Sequence, residues 1–269
     1  MKQDGERVRA GEAADWLLAR GRGAATLDEL AGLLGVPENQ VRRRLAAPVR
    51  RGEWVSPVKG LWVPVPPEYR TWGAPEGVEL VDHMMGYLGV HYYVGWLSAA
   101  ARWGAAHQAP QEFQVAVDRQ VRDRVVGRTR FRFLQRPDRV RLPTMTQRTR
   151  YTKVVVSTPE VTAFDAATDV HVCGGIDNVA TVILDLDDQD RRLDGAGLAA
   201  VAGRFPAASG RRIGHILEAY SDGARLDALR EAMAGRAVQP SPLDPSGPAS
   251  GPVDKNWNLI LNHTLEPDV

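Results

Sequence analysis

Apolar residues recur at helical spacing through the first fifty positions, then give way to short runs of branched and aromatic side chains. That change predicts helices followed by a hairpin. Trp16, Leu17 and Leu18 mark a first helix over residues 11–20, ended by Gly21 and Gly23. Leu27, Leu30, Ala31 and Leu34 give a second helix one apolar face, and Thr26 with Glu29 three residues on matches a capping box. Gly35 breaks that helix, and Pro37 with Glu38 suits the first turn of a third. Val41, Leu45 and Val49 form its inward stripe, which leaves Asn39, Gln40, Arg42, Arg43, Arg44 and Ala47 for the outer surface. Pro48 is expected to kink or end this helix near Ala47. Two β-rich runs follow, 53–56 and 61–65, joined through Pro57-Val58-Lys59-Gly60 with a cationic tip. This is the order of a winged helix-turn-helix, expected over residues 1–66.

Pro64, Pro66 and Pro67 mark a boundary, beyond which a mixed α/β domain is expected over 67–237. Segments 78–88 and 93–103 read as helices, and 113–117, 130–134, 140–142 and 153–156 as strands. Further helices are expected at 159–167, 178–186, 198–204, 212–220 and 226–234. Residues 238–252, rich in Pro, Ser and Gly, read as a flexible connector, so that a linker is placed at 238–254. The final segment, 255–269, holds a last strand at 257–261 that is expected to return to the second domain's sheet. The fold class is therefore α+β, and no internal repeat is evident.

The 269 residues are 43% hydrophobic and 25% charged, as in a soluble globular protein with room for two domains. No apolar stretch reaches the ~20 residues that cross a bilayer, and the polar opening lacks the apolar core of a secretory signal. A lone Cys173 excludes an internal disulfide framework and a multi-cysteine zinc site. A cytoplasmic protein that touches no membrane is expected. The formal charge of +1 hides a division: residues 1–153 carry 25 Lys and Arg against 16 Asp and Glu, and residues 154–269 carry 9 against 17. That asymmetry points to double-stranded DNA as a partner.

On a helix entering the major groove, Arg43 and Arg44 can fork onto the O6 and N7 of guanine, and Gln40 onto adenine. Asn39 shares their surface, and Arg42 is placed to meet phosphate at the domain edge. Arg50 and Arg51 suit backbone phosphates, as does Lys59 from the wing. Alternation in Arg128, Arg130 and Arg132, with Phe131 and Phe133 between, puts guanidinium groups on one sheet face and rings on the other. That face could extend the DNA footprint, contact RNA, dock an acidic protein, or be solvated decoration paired with the acidic C-terminal third. Enzymatic readings fare badly. Asp185, Asp187, Asp188 and Asp190 have no Gly-rich phosphate loop to work with, and the six histidines lack metal-ligand spacing. Asp82-His83, His171-x-Cys173 and Ser98 lack the context of an acid–base pair or a nucleophile. No cofactor, metal site or catalytic residue is expected.

The run Tyr92-Tyr93-Val94-Gly95-Trp96-Leu97-Ser98-Ala99-Ala100-Ala101-Arg102-Trp103-Gly104, followed by Phe113-Gln114-Val115-Ala116-Val117, resembles the pattern of AbiEi-like antitoxins. These proteins belong to bacterial toxin–antitoxin systems of the abortive-infection type. Arg51-Gly52-Glu53-Trp54-Val55 with Lys59-Gly60-Leu61-Trp62 is similar to the family's wing, with Trp62 where Tyr is expected. Thr158-Pro159-Glu160 and the closing 257–262 segment also resemble it, whereas the insertion at 238–252 departs from it. The resemblance implies a winged helix that represses its own operon. It also implies an antitoxin domain opposing a nucleotidyltransferase-like toxin. A rival reading keeps the toxin-neutralising module and assigns the winged helix little DNA binding.

Overall fold

A computed structural model describes residues 7–106, 110–136, 141–188, 193–221, 225–236 and 239–268. Helix α1 (Ala13–Ala19) buries Ala13, Ala14 and Leu17. A two-residue strand, β1 (Ala25–Thr26), leads into α2 (Leu27–Leu34). The capping box forms: Thr26 Oγ1 accepts from the Glu29 N–H at 3.2 Å, and the Glu29 carboxylate accepts from the Thr26 N–H at 2.7 Å. Gly35, at φ 64°, turns the chain in the left-handed region that glycine adopts without strain.

Helix α3 (Glu38–Arg50) runs through Pro48 instead of stopping at Ala47. Pro48 lies in the last turn, its ring is buried, and its carbonyl accepts from the N–H groups of Arg51 and Glu53, both at 3.1 Å. A proline there forfeits one bond and still closes the helix end. The wing is β2 (Trp54–Val58) paired antiparallel with β3 (Leu61–Pro64), with an irregular register between Val55 and Val58. Strand β1 adds to the other edge of β3, Ala25 opposite Trp62. Trp54 and Trp62 meet edge to face at 6.5 Å over the core of the three helices.

A 3₁₀ turn (Pro67–Trp72) leads to α4 (Gly77–Leu88), β4 (Tyr92–Val94), α5 (Trp96–Trp103) and β5 (Phe113–Val117). The hairpin β6 (Arg124–Val126) and β7 (Thr129–Gln135) follows, then β8 (Thr144–Arg148) and β9 (Lys153–Ser157). These strands form a six-stranded sheet of order β6-β7-β5-β4-β9-β8. Next come α6 (Pro159–Thr168), α7 (Ile176–Asp188), α8 (Gly195–Ala202), α9 (Ala207–Tyr220) and α10 (Asp227–Met233). A small sheet closes the chain, with β12 (Leu259–Ile260) between β10 (Ser241–Pro242) and β11 (Val253–Asp254).

Several expectations are corrected. Segment 93–103 is not one helix: Tyr92–Val94 is a strand, and helix begins only after Gly95, whose backbone is extended. Aromatic and branched side chains there favour the sheet over the helix. Of 140–142, Val140 lies outside the described residues and Arg141 and Leu142 are not strand; β8 starts beyond Pro143, which has no N–H for a ladder. The connector expected at 238–252 is also structured over much of its length (Val238 lies outside the described residues). Leu243 is buried, and Arg212 donates to the carbonyls of Pro242 and Leu243 at 3.0 and 2.9 Å. Backbone carbonyls tie this segment down, so its composition gives no warning. The last strand joins β10 and β11, not the six-stranded sheet.

The chain forms two compact units that do not divide at residue 66. One comprises Met1–Tyr92, Val117–Gln135 and Thr146–Val155; the other comprises Tyr93–Ala116, Arg136–Met145 and Val156–Val269. The first unit therefore holds 21 Lys and Arg against 14 Asp and Glu, a formal +7, and the second holds 13 against 19, a formal −6.

Candidate nucleic-acid interface

Helix α3 turns its apolar stripe inward and its cations outward. Val41 and Leu45 are fully buried, while Asn39, Arg42, Arg43 and Arg44 are exposed and Gln40 is half-buried. Val49 does not continue the stripe; it is 39% exposed, and Pro48 takes the core position. Arg43 Nη2 donates to Gln40 Oε1 at 3.4 Å, which holds the two groups side by side. Arg42, Arg44 and the exposed Arg50 have no carboxylate partner among the described residues.

Arg51 is different. Its Nε and Nη2 grip Glu53 Oε1 and Oε2 at 2.6 and 3.0 Å, a fork-to-fork pair that raises the guanidinium pKa. The guanidinium from which a phosphate role is expected is thus engaged with Glu53, just before the wing, while half of the Arg51 side chain stays exposed. Lys59 is exposed in the wing turn, where Ser56 Oγ donates to the Val58 carbonyl at 3.0 Å. Gly60, at φ 95°, passes under the Tyr87 hydroxyl with no room for a Cβ.

The arginine alternation is partly realised. Arg130 is exposed opposite Val125, Arg132 is half-buried, and Phe131 is buried with Phe133 stacked at 6.0 Å on the same face. Arg128 belongs to the turn, not the strand, and its guanidinium lies 5.2 Å from the centre of the Trp72 ring. Gly127 (φ 58°) makes that turn against Ala74 and the Trp72 carbonyl, where a Cβ would clash. Arg124, not singled out from sequence, donates Nη1 to the Pro57 carbonyl at 3.0 Å, and burial lowers its pKa.

The acidic and nucleophilic groups have structural roles. Asp82 accepts from the hydroxyls of Tyr92 and Thr152 at 3.0 and 2.9 Å, and burial pushes the neighbouring His83 down in pKa. Cys173 is buried, which pushes its thiol up and away from reactivity. Asp187 accepts from Ser221 Oγ; Asp190 lies outside the described residues, as does the side chain of Asp188. Among the described residues no group of three His, Cys, Asp or Glu is placed to hold a metal, and no helix is long and apolar enough to cross a membrane.

The motif at 92–117 is a packing motif. Tyr93 donates its hydroxyl to Asp165 at 3.3 Å, and Trp96 donates Nε1 to Asp169 at 3.0 Å from a backbone at φ 49°. Ser98 Oγ accepts from the Gln114 N–H at 2.8 Å, while the Gln114 side chain spans Leu97 N and the Val172 carbonyl. The AbiEi antitoxin C-terminal domain model matches residues 93–219, which contain all of these groups. The crystal structure of the RV2827C protein from Mycobacterium tuberculosis is similar to this chain at a TM-score of 0.65 and 17% identity, covering 95% of this chain and 92% of that one. No curated protein matches the sequence. The AbiEi domain supports an antitoxin role in a toxin–antitoxin system, and the likeness to the mycobacterial protein extends the shared fold over nearly the whole length.

Proposed function

We propose that this chain is a cytoplasmic, non-catalytic antitoxin that binds double-stranded DNA in its own promoter, represses its operon and counteracts a nucleotidyltransferase-like toxin. The observation that carries the DNA reading is the exposed row Arg42, Arg43 and Arg44 on the second helix of a helix-turn-helix, in a unit of formal charge +7. Arg43 and Gln40 read base edges together, Arg44 reads a neighbouring step, and Arg42, Arg50 and Lys59 hold phosphates. Asn39 lies beside the reading residues. Arg128, Arg130 and Arg132 lengthen the basic surface and add affinity without sequence preference.

The test is binding of Arg43→Ala plus Arg44→Ala to the duplex upstream of the operon. Each good base pairing contributes about 1–3 kcal/mol of discrimination, so the double variant loses both affinity and preference for that sequence over a scrambled one. Unchanged affinity and preference would sink the assignment. The second reading, a toxin-neutralising module with little DNA binding, is favoured by the position of the family match outside α3. It predicts a complex with the neighbouring gene product that survives nuclease treatment and no retention on the upstream duplex.

A further inference from the structure

The wing of this chain is held at both feet. At one foot the Pro57 carbonyl accepts from Arg124 Nη1 at 3.0 Å. At the other, the Gly60 carbonyl accepts from the Leu27 N–H at 3.0 Å, and the Tyr87 hydroxyl packs onto Gly60 itself. Between the two feet stands the exposed Lys59. Arg124 is braced in turn: its guanidinium lies 5.7 Å from the centre of the Phe133 ring, and its Nε donates to the Arg122 carbonyl at 3.3 Å. No carboxylate among the described residues pairs with it. A half-buried guanidinium stabilises little by sitting on one carbonyl, since desolvating the charge opposes the hydrogen bond. What the contact does accomplish is to fix a hairpin tip.

We propose that Arg124 is a positioning residue for duplex binding, which holds the wing so that Lys59 is already aimed at a backbone phosphate before DNA arrives. A tip free to move would lose its conformational freedom on docking, and the complex would be weaker by that loss; a tip fixed in advance avoids it. Arg124 itself touches no DNA. This inference rests on the duplex-binding reading above.

The experiment is a double-mutant cycle on the full chain, with Lys59→Ala, Arg124→Met and their combination titrated against a mixed-sequence duplex across a salt series. Lys59→Ala flattens the slope of log affinity on log salt by ~0.9. Arg124→Met weakens binding about threefold to tenfold, and the combination binds within about twofold of Lys59→Ala alone because both act through one contact. Losses that multiply in the combination overturn the inference. Arg124→Lys keeps the charge but cannot repeat the guanidinium geometry, so it binds like Arg124→Met; wild-type affinity in that variant means a direct phosphate contact and also overturns it. Should Arg124→Met lose its near-ultraviolet signal, Tyr87→Phe loosens the other foot of the turn and enters the same cycle with Lys59→Ala. A wild-type chain that binds no duplex overturns the function proposed above, and this inference with it. A binding wild type with independent losses overturns this inference alone.

Discussion

Arg50 and Arg51 are neighbours in sequence and identical in charge, yet their side chains are engaged differently. Arg50 ends α3 exposed and without a carboxylate partner among the described residues, whereas Arg51 forms a fork on Glu53, which is only 9% exposed. Consider each replaced separately by alanine, with a duplex titrated by fluorescence anisotropy between about 50 and 200 mM salt. Each neutralised phosphate contributes ~0.9 to the slope of log affinity on log salt. Over that fourfold range the loss of one phosphate contact brings variant and wild type closer by about 3.5-fold. Arg50→Ala shows that convergence and keeps its thermal unfolding unchanged. Arg51→Ala keeps the wild-type slope, because its fork was never on phosphate, and unfolds at lower temperature because the Glu53 carboxylate is left in a closed site with no partner. An equal change of slope in the two variants would mean that the Arg51–Glu53 pair opens onto DNA and would refute the distinction. No change in either would remove the end of α3 from the interface.

Three further outcomes follow from local geometry. A Cβ on Gly214 would enter the ring of buried Trp257, so Gly214→Ala destabilises by about 1–3 kcal/mol despite the ~1 kcal/mol helix preference for alanine, and a higher melting temperature would contradict the packing. Thr26→Ala removes one arm of the capping box and costs about 1 kcal/mol in denaturant unfolding, while Thr26→Ser, which keeps the hydroxyl, stays near wild type. His83 has its pKa lowered by burial, against the smaller opposing pull of Asp82 and Glu79. The unfolded chain therefore binds the proton more readily: stability is complete above the ordinary histidine value of ~6.5 and falls as pH drops through the lowered folded value. A pH profile of melting temperature unaltered by His83→Gln would refute that assignment.

The winged helix was legible because its signals are local. Capping at Thr26, breaking at Gly35 and the four-residue spacing of Val41 and Leu45 each act within one turn, and they agree. What escaped is held by distant partners. Strand β1 is two residues long and exists only because β3 offers it an edge. Strand β6 places Val125 at 65% exposure, so its sequence lacks the alternation that would betray a half-buried strand. The Pro/Gly/Ser-rich stretch after α10 reads as a loose linker until Arg211 and Arg212 reach it; burial draws the Arg212 pKa down to about 10 even as its donors take the carbonyls of Ala167, Pro242 and Leu243. Arg124 meets Pro57 across 67 positions, a pairing no window on the sequence would contain. The charge-bearing surface of α3 was legible, but the pairing of Arg51 with Glu53 was not, because it depends on the turn between α3 and β2 that brings the two side chains together.

The family match and the DNA reading stand on separate residues, and this separation decides what each can support. Tyr93, Trp96, Ser98 and Gln114 lie within the AbiEi stretch, where they fill a core and satisfy buried hydrogen bonds, and none of them carries a charge. Such a signature transmits a scaffold. The groups proposed to meet DNA lie before residue 93 or on β6–β7, where Arg42, Arg43, Arg44 and Arg130 are exposed. A formal +1 spread evenly over 269 residues would give duplex DNA almost nothing to hold. The formal +7 of one unit comes from residues 117–135 and 146–155, with nine Lys and Arg against two Asp and Glu, while residues 1–92 hold 12 of each; salt limits the reach of each charge to about 8 Å, so the proposed duplex contact at α3 rests on its local row of exposed arginines and not on that sum.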